Sequence, residues 1–399
     1  MDEYFVDLHV HIGRSNSGRP VKITASRDLT FGNIVQECAH RKGIQLVGII
    51  DAGSPDVQLD IRELLSNGVL RELPGGGLAY PHGETPLTAI LGVEVETTQP
   101  GGAGFHVLCY FPFLGLIEEF SRWLARYLTN ITLSSQRARL SFAQLWEQVQ
   151  EYGGIAIPAH VFTPHKGMYG CACQSITEVL PAGLAGIAGV ELGLSADSWF
   201  ADHLAELGTV SFVTNSDAHS LPKIGREYNL MALGEPSFEE LLMALQGREG
   251  RGIIRNYGLD PKLGKYHRTY CLVCEDTVEL PPPVFTCPRC GAAGKKVVNG
   301  VLDRLKAIAD RPQPQSPPGR PPYQYQVPLQ FLPKVGAKTL AKLLSAFGTE
   351  MAVLHHVPAE ELAKVAGETV AAMIIAARTG QLAVTAGGGG RYGRVSWGE

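Results

Sequence analysis

The strongest constraint on the fold is an alternation of short apolar runs with stretches of helical periodicity, from Tyr4 to about Gly247. The runs with the length and residue types of strands are 5–10, 46–50, 89–93, 106–111, 154–157, 186–190 and 210–213. Helices are predicted between several of them, at residues 31–42, 116–128, 141–152 and 195–207. This alternation predicts an α/β fold of mostly parallel strands covered by helices, arranged as a barrel or as a doubly wound sheet.

Imidazole and carboxylate groups occur at the ends of these runs. His9 and His11 lie two residues apart where the first run ends, so both side chains point to the same side of a strand. Similar groups accompany the later runs: Asp51, Glu94, Glu96, His106, His160, Asp217 and His219. Buried without partners, each would cost several kcal/mol, and shared metal ions remove that cost. Mixed imidazole and carboxylate ligands favour Zn, Mn, Fe or Co over an all-oxygen calcium site.

As a set over about residues 1–250, these motifs resemble those of the PHP (polymerase and histidinol phosphatase) superfamily of metal-dependent phosphoesterases. The resemblance implies a distorted seven-stranded β/α barrel with two or three catalytic divalent metals, which can be Zn, Mn, Mg or Fe. It also implies the metal ligands, which are His9, His11, Asp51, Glu94, His106, His160, Asp217 and His219. Glu94 would bridge two metals and act in catalysis with His160, Asp217 and His219.

Two points stay open within this resemblance. Many members have Thr-Asp-His in the second motif, whereas this chain has Ile50-Asp51-Ala52, so one ligand of a third metal is missing. His165 is a candidate for phosphate contact or proton transfer, and a solvent-exposed loop histidine is the alternative. The number of metals and the role of His165 therefore depend on the structure.

Four of the eight cysteines form the pattern Cys271-x2-Cys274-x12-Cys287-x2-Cys290. Paired Cys-x-x-Cys turns are typical of a closed four-thiolate zinc site, which is structural because no coordination position remains for water. We therefore predict a structural zinc ion in a zinc-ribbon-like module over residues 259–299. Whether this module contacts nucleic acid or is purely architectural stays open.

The C-terminal third is basic, although the whole chain has a net charge of −4. Residues 251–399 carry 19 Lys and Arg against 11 Asp and Glu, and residues 1–250 carry 16 against 28. This asymmetry favours a polyanionic partner, and chance segregation of surface charge is the alternative. The predicted divisions are a PHP-like domain at 1–258, the zinc module, a helix and Pro-rich connector at 300–328, and a helical domain with a mobile Gly-rich tail at 329–399.

Residues 331–348 resemble a helix-hairpin-helix module. In such a module a glycine turn exposes backbone N–H groups at a helix N-terminus, which hold a DNA phosphate. The DNA-binding residues predicted there are Lys334, Gly336, Lys338 and Thr339. A plain helical hairpin with a glycine turn is the alternative.

The order of these parts resembles the endonuclease Q family of DNA repair enzymes over essentially the whole chain, including residues 258–261 and 320–323. The resemblance implies cleavage of DNA on the 5′ side of deaminated bases (uracil, hypoxanthine, xanthine) or abasic sites, leaving a 3′-hydroxyl and a 5′-phosphate. Arg14, Lys166 and Tyr169, in loops that follow metal ligands, are candidates for strand or base contacts. A sliding clamp stays open as a further partner.

Two other functions stay open: a small-molecule phosphatase of the histidinol-phosphate type, and a DNA-binding scaffold with a degenerate barrel. The N-terminus lacks the basic and apolar regions of a secretory signal, and no apolar run approaches the ~20 residues of a membrane span. We therefore expect a cytoplasmic, nucleoid-associated prokaryotic protein with no membrane partner.

Overall fold

The computed structural model describes residues 1–83, 86–99 and 103–397. Its strands are β1 (Asp2–Val10), β2 (Leu46–Ile49), β3 (Arg71–Glu72), β4 (Leu78–Tyr80), β5 (Leu87–Glu96), β6 (His106–Phe111), β7 (Ile155–Pro158), β8 (Val190–Glu191), β9 (Phe212–Val213), β10 (Tyr228–Leu233), β11 (Gly252–Gly258), β12 (Tyr270–Cys271), β13 (Asp276–Thr277), β14 (Val297–Val298), β15 (Tyr323–Tyr325), β16 (Ala383–Thr385) and β17 (Arg394–Ser396). Its α-helices are α1 (Phe31–Glu37), α2 (Pro55–Ser66), α3 (Leu114–Leu124), α4 (Phe142–Glu151), α5 (Ser198–Ala201), α6 (Phe238–Leu245), α7 (Val301–Ile308), α8 (Ala337–Phe347), α9 (Glu350–His355), α10 (Ala359–Ala366) and α11 (Glu368–Arg378). The predicted α/β class is confirmed.

The main sheet is mixed, so the expectation of mostly parallel strands is wrong. Strand β1 pairs parallel with β2, and β2 pairs parallel with β5, but β1 also pairs antiparallel with β10. Strands β5 and β6 are antiparallel, as are β6 and β7. The connection between β5 and β6 spans residues 97–105, which is shorter than the dozen or more residues that a parallel crossover needs.

Backbone hydrogen bonds continue from β7 around to β1. The Val161 N–H, just after β7, donates to the carbonyl of Glu191 in β8, with an N–O distance of 2.9 Å. Strand β8 pairs parallel with β9, and beyond β9 the Ala218 N–H donates to the His9 carbonyl at 3.1 Å. The path β1–β2–β5–β6–β7–β8–β9 therefore returns to β1, which brings the ends of these strands around a common space.

The segment between β7 and β9 differs from the sequence prediction. A strand was expected at residues 186–190 and a helix at 195–207, but the structure has the two-residue β8, the short α5 and a 3₁₀ turn at Ala205–Thr209. Three glycines in this region adopt positive φ angles: Gly183, Gly186 and Gly193. The positive φ of Gly186 interrupts the predicted strand, and Gly193 turns the chain just before the predicted helix.

The Pro-rich connector is attached to the sheet rather than acting as a free spacer. Its residues Tyr323–Tyr325 form β15, which pairs parallel with β11 at the sheet edge. Arg320 donates to the carbonyls of Leu207 and Val210 and forms an ion pair with Asp202 at 3.3 Å. Neither β10, β11 nor β15 was predicted from the sequence.

The C-terminal region packs on the rest of the chain. The fully buried Lys42 ammonium lies 2.8 Å from the Glu350 carboxylate and joins α9 to the segment after α1. The Gly-rich tail, expected to be mobile, instead forms the β16–β17 hairpin. Gly387 and Gly393 donate to the carbonyls of Lys262 and Leu263, so the hairpin lies against the start of the zinc module.

Among the described residues, no helix combines the length and apolar character needed to cross a membrane.

Glu227 lies at the junction of β10 with the zinc module and gives a test of the packing. Its Oε1 accepts from the Leu259 N–H at 2.7 Å, while its Oε2 is buried without a hydrogen-bond partner in the described structure. Burial raises the pKa of Glu227 to about 8. Between pH 4.5, where an unfolded Glu ionises, and pH 8, the folded state retains a proton that the unfolded state has released, so stability falls as pH rises.

Glu227→Gln is therefore expected to raise the melting temperature relative to wild type by an amount that grows from pH 5 to pH 8. Thermal unfolding followed by circular dichroism at several pH values measures this difference. The exposed Glu235→Gln is the matched control and should give no pH-dependent difference. A constant offset for Glu227→Gln at every pH would contradict the prediction.

Candidate metal centre

His9 and His11, the two histidines of the first motif, direct their Nε2 atoms toward the same two carboxylates, those of Glu94 and Asp217. His9 Nε2 lies 3.6 Å from Glu94 Oε1 and 3.5 Å from Asp217 Oδ1. His11 Nε2 lies 3.7 Å from Glu94 Oε2 and 3.6 Å from the same Asp217 oxygen. The ligand atoms of His9, His11 and Asp217 lie within 4.8 Å of one another, which is the spacing expected around one cation.

A second group consists of Glu94, His106 and His160, whose ligand atoms also lie within 4.8 Å of one another. Glu94 Oε1 is 2.8 Å from His106 Nδ1 and 3.7 Å from His160 Nε2. Because the same carboxylate also faces His9 and His11, Glu94 lies between the two groups. This position suits the bridging role that the sequence predicted for it.

Glu191 is the functional residue that the sequence analysis missed. Its buried carboxylate accepts from His9 Nδ1 at 2.9 Å, from the His160 N–H at 2.8 Å and from Asn215 Nδ2 at 2.8 Å. Since a carboxylate only accepts, His9 must carry a proton on Nδ1, so Nε2 is the atom at which a metal would replace a proton. The rule that acids follow strand ends would have found Glu191, because it comes directly after the predicted run 186–190.

The Nδ1 atoms of His11 and His160 also have hydrogen-bond partners. His11 Nδ1 lies 3.0 Å from Asp51 Oδ2, and His160 Nδ1 lies 3.0 Å from Thr163 Oγ1. Asp51, predicted as a ligand, belongs to neither group and instead orients His11. His219, also predicted, lies beside the first group, with its Nδ1 3.0 Å from the Asp217 carbonyl and its ring 4.5 Å from that of His11.

The electrostatics of the centre favour cations. Burial alone would raise the pKa of Glu94, but His106 and Lys22 hold it well below its usual range. Burial would lower the pKa of His9, yet Glu191, Asp217 and Glu94 together raise it to about 10. His9 Nε2 is buried and has no hydrogen-bond partner in the described structure. His106 Nδ1 is buried beside Glu94 Oε1, but the pair does not have hydrogen-bond geometry. Divalent metal ions fit these residues because they neutralise the carboxylates and bind imidazole nitrogens.

Two of the candidate ligands are held in strained backbone conformations. His160 and Asp217 have φ angles of 31° and 45°, which non-glycine residues rarely adopt. Arg226 supports Asp217 by donating to its carbonyl at 3.1 Å and to the Ser216 carbonyl at 2.6 Å. Beside His160, a Cβ on Gly193 would lie 2.8 Å from the His160 Cβ, so only glycine permits this approach. The chain therefore holds both ligands in place against their local preference.

A cavity of about 390 Å³ opens beside the centre. Its walls combine ligand-bearing loops with the zinc module and the tail, and the lining residues include His160, His165, Glu191, Asp217, His219, Lys223, Arg226, Lys265, Tyr266 and Tyr392. Tyr392 reaches it from the tail: its hydroxyl accepts from Arg226 at 2.6 Å, and Lys265 Nζ lies 4.7 Å from its ring centre. His165 lies in the same wall, with its ring 5.2 Å from that of Tyr266.

The predicted DNA contacts differ in exposure. Tyr169 is fully buried, stacks on Phe162 and donates to Glu206 at 2.7 Å, so the prediction of a strand or base contact is wrong for it. Lys166 is half-exposed and its Nζ lies 2.6 Å from Glu96 at the rim of the centre. Arg14 lies in the loop after His11 and is partly exposed. Phe162 excludes water from one face of Tyr169, which explains why this loop residue is buried in the core rather than exposed to DNA.

The glycine turn of the C-terminal region is exposed. Gly336 is the N-cap of α8, and Lys334 and Lys338 flank it at the surface, with Thr339 partly buried behind them. The element before this turn is a 3₁₀ turn, Leu329–Phe331, where a helix was expected. Pro328 and Pro333 bound this short element, and a proline ring restricts the residue before it from helical conformation.

The four predicted zinc ligands converge. Cys271 Sγ is 3.7 Å from Cys290 Sγ, and Cys274 Sγ is 3.8 Å from Cys287 Sγ. A tetrahedron of sulfur atoms about 2.3 Å from a central zinc has edges of about 3.8 Å, so the spacing fits this ion. Backbone N–H groups of Cys290 and Arg289 lower the pKa of Cys287, whereas hydrogen bonds with the neighbouring thiols raise the pKa of Cys274. Zinc binding would stabilise the thiolate form of all four cysteines.

Cys287→Ser is expected to abolish zinc retention and to lower the melting temperature, because the small β12–β13–β14 sheet has only a minimal apolar cluster of its own. Zinc content by mass spectrometry and thermal unfolding measure the two effects. The exposed Cys171→Ser is the matched control and should keep both values. Unchanged zinc content in Cys287→Ser would refute the site.

Comparison with known proteins gives consistent matches. The PHP-associated family matches residues 199–249. The uncharacterized protein YqxK of Bacillus subtilis is 47% identical over 400 residues, which cover 99% of this chain and all of that protein. The uncharacterized protein MJ0043 of Methanocaldococcus jannaschii is 36% identical over 228 residues, which cover 52% of this chain and 28% of that protein.

Two solved structures match the whole chain. The lesion-specific endonuclease PfuEndoQ of Pyrococcus furiosus has a TM-score of 0.83 and 32% identity, with 100% of this chain and 96% of that chain covered. A complex of endonuclease Q with a 27-mer duplex that carries an abasic lesion at the active site has the same TM-score and identity, with coverage of 100% and 97%.

The fold and the paired ligand groups, with these matches, define a protein of the PHP superfamily. Within it, the chain belongs to the endonuclease Q family. The similarity supports a nuclease that acts on DNA. None of these matches supports a sliding clamp as a partner.

Proposed function

We propose that this protein is a metal-dependent DNA repair endonuclease. It hydrolyses the phosphodiester 5′ to deaminated bases (uracil, hypoxanthine, xanthine) or abasic sites, leaving a 3′-hydroxyl and a 5′-phosphate. The observation that carries the proposal is a centre of imidazoles and carboxylates that opens into a cavity, in a chain similar along its whole length to a lesion-specific endonuclease.

The chain's own residues would hold two cations. His9, His11 and Asp217 form one ligand group, His106 and His160 form the other, and Glu94 lies between them. The chemistry that two divalent ions supply when bound is activation of a water nucleophile and neutralisation of charge at phosphorus. Glu191, Asp51 and Thr163 keep the imidazole rings in the orientation that this binding requires.

The cavity suits an extruded nucleotide. A damaged base must leave the stack before an enzyme can read its edge, and damaged pairs are easier to open. Tyr266 and Tyr392 offer aromatic surfaces for a base, and Lys223 and Lys265 offer cations for the flanking phosphates. A volume of about 390 Å³ lies within the range of small-molecule sites.

The barrel, the zinc module and the helical region have separate roles in this proposal. The path β1–β2–β5–β6–β7–β8–β9 is the distorted seven-stranded barrel that carries the metals. The zinc-ribbon-like module builds one wall of the cavity through Lys265 and Tyr266. The exposed turn at Lys334–Lys338 is the helix-hairpin-helix-like contact, where backbone N–H groups of α8 hold a phosphate without reading base sequence.

Labelled duplexes that contain a single uracil, hypoxanthine or abasic site test the proposed function. With Mn²⁺ or Mg²⁺ the protein should cut the damaged strand 5′ to the lesion and leave an undamaged duplex intact. Asp217→Asn removes one negative metal ligand and should reduce cutting by on the order of 100-fold or more while retaining DNA binding. The exposed Asp28→Asn is the matched control and should cut normally.

Release of phosphate from small monoesters with intact DNA would overturn the proposal in favour of a phosphatase. DNA binding without scission in either assay would overturn it in favour of a scaffold.

Tyr392 tests the role assigned to the cavity. Tyr392→Ala should reduce cutting at uracil by on the order of tenfold, since base–aromatic stacking is worth about 1–3 kcal/mol. Tyr392→Phe retains the ring and should remain close to wild type. Trp397→Ala removes an exposed aromatic from the same tail and serves as control. Equal cutting by all three variants would show that Tyr392 does not contact the base.

A further inference from the structure

Two neighbouring serines, Ser134 and Ser135, contact two carboxylates of the metal centre, those of Asp51 and Glu94. The Ser134 hydroxyl donates to Asp51 Oδ1, and the Ser135 hydroxyl donates to Glu94 Oε2. The two hydroxyl oxygens are 2.9 Å apart. This corner, formed by Asp51, Glu94, Ser134 and Ser135, lies on the far side of Glu94 from His106 and His160.

Lys22 is built into this corner. Its Nζ lies 3.1 Å from Glu94 Oε2 and also contacts the Ser135 hydroxyl, and its side chain is 14% exposed. The backbone holds it on both sides: the Lys22 N–H donates to the Ile12 carbonyl at 2.9 Å, and the Ser134 N–H donates to the Val21 carbonyl at 2.9 Å. These backbone hydrogen bonds fix the position from which the Lys22 side chain reaches Glu94 and Ser135.

The hydrogen-bond inventory of the corner leaves acceptors that the serine hydroxyls cannot fill. Each serine hydroxyl has one proton, and both protons already go to carboxylates. The remaining acceptor capacity of Ser135 and Glu94 is met by the ammonium group, which has three protons to donate. Lys22 therefore completes a network that a bare hydroxyl pair leaves incomplete.

The formal charges lead to the same conclusion. Four carboxylates contact the ring nitrogens of the ligating histidines: Asp51, Glu94, Glu191 and Asp217. Two divalent ions would balance these four negative charges. A third divalent ion in the corner would have to displace the Lys22 ammonium group from Glu94 Oε2.

We propose that Lys22 is a positioning residue that takes the place of a third metal ion, so that this metal centre holds two divalent ions and no more. The ammonium group fixes Glu94 Oε2, which leaves Oε1 directed at His106 and His160. This inference rests on the proposed metal centre and is independent of which DNA lesion is cut.

Equilibrium dialysis against Mn²⁺, with zinc counted separately, tests the proposal on the full chain. Lys22→Ala should bind one more Mn²⁺ per chain than wild type, because Asp51, Glu94 and the two serines are then free to ligate it. Lys22→Arg keeps the charge and should bind the same number as wild type. Lys295→Ala, an exposed lysine removed from the centre, controls for the change in net charge.

An unchanged Mn²⁺ count in Lys22→Ala at saturation would overturn the proposal. Anomalous diffraction from wild-type crystals soaked in Mn²⁺ keeps the test decisive if Lys22→Ala fails to fold. Peaks at the two ligand groups alone support the proposal, and a peak within ligand distance of Asp51 and Glu94 Oε2 overturns it. Both measurements count metal without DNA, so they are separate from any failure to cut a lesion.

Discussion

The hydrogen bonds behind the histidines determine everything else at this site. Glu191, Asp51 and Thr163 occupy the outer nitrogens of His9, His11 and His160, which forces the inner nitrogens toward Glu94 and Asp217. This arrangement concentrates negative charge at the almost fully buried carboxylates of Asp51, Glu94 and Glu191. Nearby cations reduce the cost of burying that charge, and the Lys22 ammonium, 3.1 Å from Glu94 Oε2, is one of them.

The strain at two ligands follows from the same constraint. His160 and Asp217 have to present their side chains inward from loops rather than from the ends of long strands, because β7 and β9 are short. Positive φ angles turn these residues toward the centre, and Gly193 and Arg226 stabilise the turns. The backbone and its neighbours, rather than the side chains alone, therefore set the direction of these two groups.

Much of the site could be predicted from sequence, because its residues are chemically distinctive and follow apolar runs. His9, His11, Glu94, His106, His160 and Asp217 all face the centre, and the four cysteines converge. Asp51 lies outside both groups and contacts His11 Nδ1, so its prediction as a metal ligand stays a prediction. Tyr169 is buried because it stacks on Phe162 and donates a hydrogen bond to Glu206. The contact with Glu206 joins residues far apart in sequence, so it could not be predicted from the local pattern.

The fold was harder to predict than the site. Strand direction depends on which strands meet, and β5, β6 and β7 meet antiparallel although helices α3 and α4 separate the last two. Residues 183–193 combine the glycine content of a loop with the apolar content of a strand. Lys22 belongs to no recognisable sequence motif, and its place beside the metal centre is visible only from its contacts with Glu94 and Ser135.

The position of Tyr392 in the Gly-rich tail affects when the cavity can form during protein synthesis. Tyr392 contributes to the cavity wall only through the β16–β17 hairpin, whereas His9 and His11 lie at the other end of the chain. During translation, the ligating histidines leave the ribosome long before the residue that finishes the wall. A nascent chain therefore has no complete cavity until the β16–β17 hairpin has been synthesised and has packed against Lys262 and Leu263.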